Sequence, residues 1–180
     1  MPDETTVPLD ASPEARIALA VERFGEQDVA DRAAALLTGT NEGEEFLLWV
    51  GGRHAQGILD GAPALYWPEV WGARTLLYAW DDAAAVVIRS GLSNQAWRVR
   101  EMCCRVVAAR NLQLGADLLP LLADEVARVR ANAARTLGIV GDYEQALEVK
   151  KLVKDAELDV RKQAGAALKV LKTRLGREID

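Results

Sequence analysis

Asp124-Glu125-Val126-Ala127-Arg128-Val129-Arg130-Ala131-Asn132-Ala133-Ala134-Arg135-Thr136-Leu137-Gly138-Ile139-Val140-Gly141-Asp142 decides how this chain folds, because its pattern recurs. Thirty-one residues on, Asp155 is again followed five places later by Val160-Arg161, then by Ala164, Gly165, Ala167 and Leu168. Thirty residues back, Asn94 precedes Val99-Arg100 by the same five places. A fourth copy lacks the Val-Arg pair but keeps Gly72-Ala73-Arg74-Thr75-Leu76, 61 residues before Ala133-Ala134-Arg135-Thr136-Leu137. A fixed period of this length marks stacked supersecondary units, none of which can bury its apolar face alone.

Helical spacing separates the faces of each unit. With Val129 buried, Ala133, Thr136, Leu137 and Val140 share its side, as do Cys103, Val106 and Val107 with Val99, and Ala164, Ala167 and Leu168 with Val160. The small residues at these places let adjacent helices approach closely. The spacing predicts longer helices over 66–79, 96–110, 126–139 and 157–174, with shorter ones over 82–91, 115–122 and 143–153. Upstream, Ser12-Pro13-Glu14 reads as an N-cap, a Pro at the first helical position and a first-turn acid; Gly25 ends that helix.

The turn acid, Val-Arg, small residues, Leu-Gly and short helix resemble the HEAT-like repeat of the phycobilisome-lyase type. The resemblance spans the last two thirds of the chain and implies an all-α, right-handed α-α superhelix, a solenoid of about five helical hairpins. The expected organisation is a disordered acidic leader over 1–11 and one HEAT-like domain over 12–180, with irregular N-terminal helices at 12–53 and regular repeats from about 54. The resemblance also implies a ladder in which Asn94, Asp124 and Asp155 serve the turns, while Arg100, Arg130 and Arg161 clamp one unit to its own or the neighbouring acid. The competing reading of those three arginines is a phosphate-binding row.

The same register exposes a second arginine column. Arg74, Arg105 and Arg135 share one repeat position, and seven residues before each, two turns along the same face, stand Trp67, Arg98 and Arg128. The second helix of each unit in such superhelices lines the concave surface, so these six residues are expected to form a groove for an acidic protein surface or peptide, with Trp67 as apolar anchor. The plainer alternative is a solvated face with Glu101 and Asp159 as partners of the arginines. Tyr66, Trp67, Trp71, Tyr78, Trp80 and Trp97 crowd into about thirty of the 180 residues; they either close the junction between irregular and regular helices or offer a hot spot.

Charge and composition narrow the chemistry. Residues 1–90 carry 15 acids and 6 bases, residues 91–180 carry 12 and 16, and the chain nets −5. That acidic balance, with no lysine before Lys150, disfavours nucleic acid as a partner. His54 is the only histidine and no metal-ligand spacing occurs, so neither a metal nor a cofactor is expected, nor a catalytic residue. The adjacent Cys103 and Cys104 point about 100° apart on a helix and read as packing residues in a reducing compartment. No apolar run approaches the roughly 20 residues of a membrane span; the start of the chain lacks an export signal, and the expected location is cytoplasmic. The reading that follows is a non-catalytic interaction or scaffold module. The alternatives are a DNA-binding or alkylated-base repair enzyme on a HEAT-like scaffold, with Trp67, Trp71, Arg74 and Asp81 or Asp82 as its set, and a bilin-lyase-like protein.

Overall fold

A computed structural model describes residues 6–180, and among these every regular element is helical. The chain divides into two compact units, Met1–Val87 and Ile88–Asp180.

The first unit contains α1 (Pro13–Phe24), α2 (Glu26–Leu37), α3 (Glu44–Gly51), α4 (Arg53–Leu59), α5 (Trp67–Thr75) and the start of α6 (Ala84–Gly91). The Ser12 hydroxyl accepts from Ala15 N–H and Pro13 opens α1, so the cap lies where the sequence placed it. Ile17, Ala20, Val29, Leu36, Phe46, Trp49, Val50, Ala55, Trp71 and Ala79 make the core. Two glycines set its tightest approaches. A Cβ on Gly72 would stand 2.5 Å from the Ala33 carbonyl oxygen, and one on Gly51 would stand 2.5 Å from the Trp71 ring, so α5 lies almost directly on α2 and Trp71 on α3. α5 is shorter than the 66–79 expected: the Thr75 hydroxyl bonds back to Trp71 O at 2.8 Å and the chain leaves the helix in turns.

Residues 1–5 of the expected leader lie outside the described residues. Its remainder is tied down rather than free: Val7 packs on the core, Leu9 O accepts from Arg53 N–H and from Arg16, Ala11 O accepts from Arg16, and Asp10 pairs with Arg53. Arg16 is itself buried, and its Nε donates to Trp49 O at 3.1 Å, so one guanidinium satisfies carbonyls at the end of α3 and along the leader. Burial lowers its pKa from the usual arginine value.

The second unit holds the rest of α6, then α7 (Trp97–Arg110), α8 (Gly115–Leu118), a 3-10 turn (Leu119–Ala123), α9 (Ala127–Val140), α10 (Tyr143–Lys151), a second 3-10 turn (Leu152–Lys154) and α11 (Leu158–Leu175). Here α7 packs on α9 and α9 on α11, consecutive repeats in order. Val99, Cys103, Val106, Val107, Val129, Ala133, Leu137, Val160, Ala164 and Ala167 are buried, as the 3.6-residue spacing requires. The Thr136 hydroxyl donates to Cys104 O at 3.0 Å, joining α9 to α7 inside this core. α10 begins with a capping box in which Asp142 and Gln145 satisfy each other's backbone N–H groups.

Candidate interaction surface

The polar spine of the second unit is built from the turn acids and the Val-Arg pairs. Arg100 donates from Nε and NH2 to the two carboxylate oxygens of Asp124, at 2.7 and 2.9 Å, and from NH1 to the carbonyls of Asn94 and Gln95. Arg130 repeats the pattern one unit later, gripping Asp155 at 2.8 and 3.0 Å and Asp124 O at 2.8 Å. Each turn residue, amide or acid, accepts a backbone N–H from two residues on: Ala96 to Asn94, Val126 to Asp124, Glu157 to Asp155. These planar, two-bonded pairs are the strong form of ionic hydrogen bond. Asp124 is desolvated, which works to raise its pKa, but Arg100 and the Val126 N–H outweigh burial and hold the carboxyl below the ordinary range. Arg130 does the same for the more open Asp155. Arg161 uses NH1 on the carbonyls of Asp155 and Ala156, at 2.7 and 2.8 Å. With their charge committed to this spine, Arg100 and Arg130 make a poor phosphate row.

The second column divides between the units. Trp67 and Arg74 belong to the first, where their contacts are local. Arg74 is half-buried and donates from NH2 to Val50 O at 2.6 Å, near the end of α3. Trp67 is also half-buried, its ring 4.8 Å from His54, 5.5 Å from Tyr66 and 6.4 Å from Trp71. Trp71 is 2% exposed and fills the core, whereas Tyr66, Trp67, Trp80 and Trp97 are half-buried and Tyr78 is exposed. Asp81 accepts from Ala83 N–H and Asp82 from the Trp80 ring, both local turn contacts.

Arg98 and Arg105 of α7 and Arg128 and Arg135 of α9 all belong to the second unit, and of these Arg128 and Arg135 line a common cavity. This cavity, of 560 Å³, opens along α7, α9 and α11, lined by Glu101, Arg128, Ala131, Asn132, Arg135, Glu157, Asp159 and Gln163 among others. Its charge is mixed, not uniformly basic. Glu101 accepts from Arg128 at 2.9 Å and from Asn132 at 3.3 Å, so one arginine of the column is paired across repeats. The Arg98 guanidinium lies 4.3 Å from the centre of the Trp97 ring, and that of Arg128 lies 5.5 Å from it, so Trp97 steadies both. Arg105 and Arg135 are exposed and have no carboxylate within salt-bridge reach among the described residues. Glu101 is a partner of the column, as the solvated-face alternative expects. Trp97, expected as either junction filler or hot spot, lies against both arginines, and Glu157, which the sequence did not single out, lines the cavity from the turn before α11.

Residues 85–169 match the family model for HEAT repeats. The repeat-bearing segment is therefore HEAT-like, and the match is at the level of HEAT repeats in general. No curated protein matches the chain. No helix among the described residues is long and apolar enough to cross a membrane.

Proposed function

We propose that the chain is a non-catalytic protein-interaction module that receives an acidic segment of its partner along the α7–α9–α11 surface. HEAT repeats generally mediate protein–protein interaction, and the observation that carries the finer reading is the pair Arg105 and Arg135. They occupy one position of consecutive repeats, are exposed, and have no carboxylate partner among the described residues, whereas Arg100, Arg128 and Arg130 are each paired with an acid inside the unit. Helices packed at roughly 8–10 Å offer these two forks to carboxylates about three residues apart on an extended strand rising ~3.3 Å per residue. Arg98, held on Trp97, extends the positive edge. Glu157 and Asp159 on the opposite wall select against a uniformly acidic ligand and fix orientation, because an interface discriminates partly by the charges it repels.

A fluorescein-labelled peptide with Glu-x-x-Glu spacing tests this by anisotropy at low and physiological salt. Binding is expected to weaken at least about tenfold, ~1.4 kcal/mol, in Arg105→Glu/Arg135→Glu, with the helical circular-dichroism signal unchanged. Equal affinity for the variant and the parent chain would sink the groove. Base repair rests on Trp67, Trp71, Arg74 and the Asp81–Asp82 pair; Trp71 is buried, Arg74 serves a carbonyl and both acids serve turns, so no observation favours it.

A further inference from the structure

The repeat register assigns each residue of the last hairpin a counterpart in the two hairpins before it, and those counterparts reveal a face that the earlier units cover and the last does not. Val153 corresponds to Leu122 and Leu92; these are 8% and 2% exposed, whereas Val153 is 38% exposed. Gly165 corresponds to Ala134 and Cys104, both fully buried, yet a Cβ built on Gly165 would meet nothing within 4 Å. Leu168 corresponds to the buried Leu137 and Val107 and is itself half-buried. Leu158, Arg161, Gly165 and Leu168 fall at i, i+3, i+7 and i+10, one stripe of α11, and Leu158 is 53% exposed.

Arg161 lies in this stripe with its fork already set. Its NH1 holds the carbonyls of Asp155 and Ala156, as NH1 of Arg100 and of Arg130 holds the corresponding carbonyls. In Arg100 and Arg130 the remaining edge, Nε and NH2, grips the aspartate of the next turn; in Arg161 that edge has no carboxylate among the described residues. Residues 172–180 do not supply one. Where α9 ends at Gly141 and Asp142 caps a new helix, α11 has Lys172 and Thr173 inside the helix and runs on to Leu175. After Gly176, with φ 65°, the chain turns back over α10: Arg177 lies 3.5 Å from the centre of the Tyr143 ring and Lys150 donates to Ile179 O at 2.9 Å. Ile179 and Leu168 line one small pocket beside Lys169 and Lys172.

We infer that the α11 face is a docking surface for a helical hairpin of a partner protein, whose inter-helix turn presents an aspartate to Nε and NH2 of Arg161 and whose apolar side covers Val153, Leu158 and Gly165. The chemistry is fixed by the two internal rungs: a carboxylate that also caps its own helix, followed by small residues where the helices meet. This face is separate from the groove of Arg105 and Arg135, and the two fail independently.

The test uses the protein's own hairpin as probe. In one arm, residues 172–180 of the full chain are replaced by a second copy of 141–180, so that an identical hairpin is offered to Arg161 in register. Hydrogen exchange at the original 158–168 segment is expected to slow by about tenfold or more, with a matching gain in helical signal, and Arg161→Gln is expected to reverse the protection. Because the same hairpin folds on Arg130, its failure to fold on Arg161 would overturn the inference, as would equal protection in the Arg161→Gln version. In a second arm, the peptide spanning 141–175 is titrated into the intact chain by calorimetry. Binding that is lost with Arg161→Gln, and lost again when the peptide carries Asp155→Asn, supports a partner in trans, and its absence overturns it. Sedimentation of the intact chain completes the set: a monomer is expected, and a dimer that disappears with Arg161→Gln would replace the partner with a second copy.

Discussion

Arg100 and Asp124 face each other across two successive repeats with both guanidinium–carboxylate bonds formed, and the side chains are only 11% and 5% exposed. The pair sits at the point where one helical hairpin hands over to the next, and Asp124 also accepts the Val126 N–H that its own turn needs bonded. Asp124→Ala removes both functions and leaves Arg100 buried without its counter-charge. The expected loss is roughly 3–5 kcal/mol, read as the shift of a urea midpoint. Arg161→Gln serves as internal contrast, since its rung holds only carbonyls; about 1 kcal/mol or less is expected. Equal losses at the two ends would show that the carboxylate rung contributes nothing special.

Acid should weaken the second unit through the same pairs. Asp124 and Asp155 have pKa values held below the ordinary carboxylate range, so the folded chain releases their protons more readily than the unfolded chain does. Their stabilisation is complete above the unfolded value of about 3.9 and is lost as pH falls from there through the lowered folded values. A plot of unfolding free energy against pH should slope downward into acid, and Asp124→Asn/Asp155→Asn should flatten that slope while lowering the neutral plateau. A double variant with the parent's slope would place the acid sensitivity elsewhere.

Two helical glycines should respond oppositely to alanine. Gly72→Ala drives a Cβ to 2.5 Å from Ala33 O and 2.8 Å from Leu37 N, backbone atoms that cannot swing aside, and overpacking of about 1–3 kcal/mol is expected. Gly165→Ala enters open space in the middle of α11 and should stabilise by roughly 0.5–1 kcal/mol through the higher helix propensity of alanine. Thermal midpoints moving in the same direction would contradict the packing described here.

Cys103 and Cys104 should be inert thiols in the native chain. Both are buried, and burial pushes Cys104 up to about 12 and Cys103 higher still, so neither supplies thiolate at neutral pH. Titration with a coloured disulfide reagent at mild alkaline pH should show no fast-reacting thiol, with both appearing as denaturant unfolds the helices. A burst of one equivalent in native buffer would mean that α7 opens on its own.

The repeat was legible because it is encoded locally. An acid five residues before Val-Arg, with small residues one turn on, needs no knowledge of the partner helix to be seen, and the structure places Val99, Val129 and Val160 at zero exposure together. The arginine column at Arg105 and Arg135 followed from the same register. What the sequence concealed depends on contacts across tens of residues. Arg74 matches Arg105 and Arg135 in position but meets Val50 O from another helix, because its unit is irregular there. The residues around Asp10 read as an acidic leader, yet Arg16 and Arg53 reach back from distant turns of helix to hold Leu9, Asp10 and Ala11. Asp159 was legible as a partner for the arginines, whereas Glu157, in the turn before α11, carries no repeat signal although it lines the same cavity as Arg135.

The double duty of Asp124 and Asp155 sets how force and heat enter the second unit. Each aspartate belongs at once to its own turn and to the arginine before it, so loosening one turn releases a guanidinium in the preceding hairpin, and restoring either requires the other. Rungs shared in this way couple neighbours alone, and such an array opens from its ends like a zip, with α9, clasped on both sides, the last helix to yield.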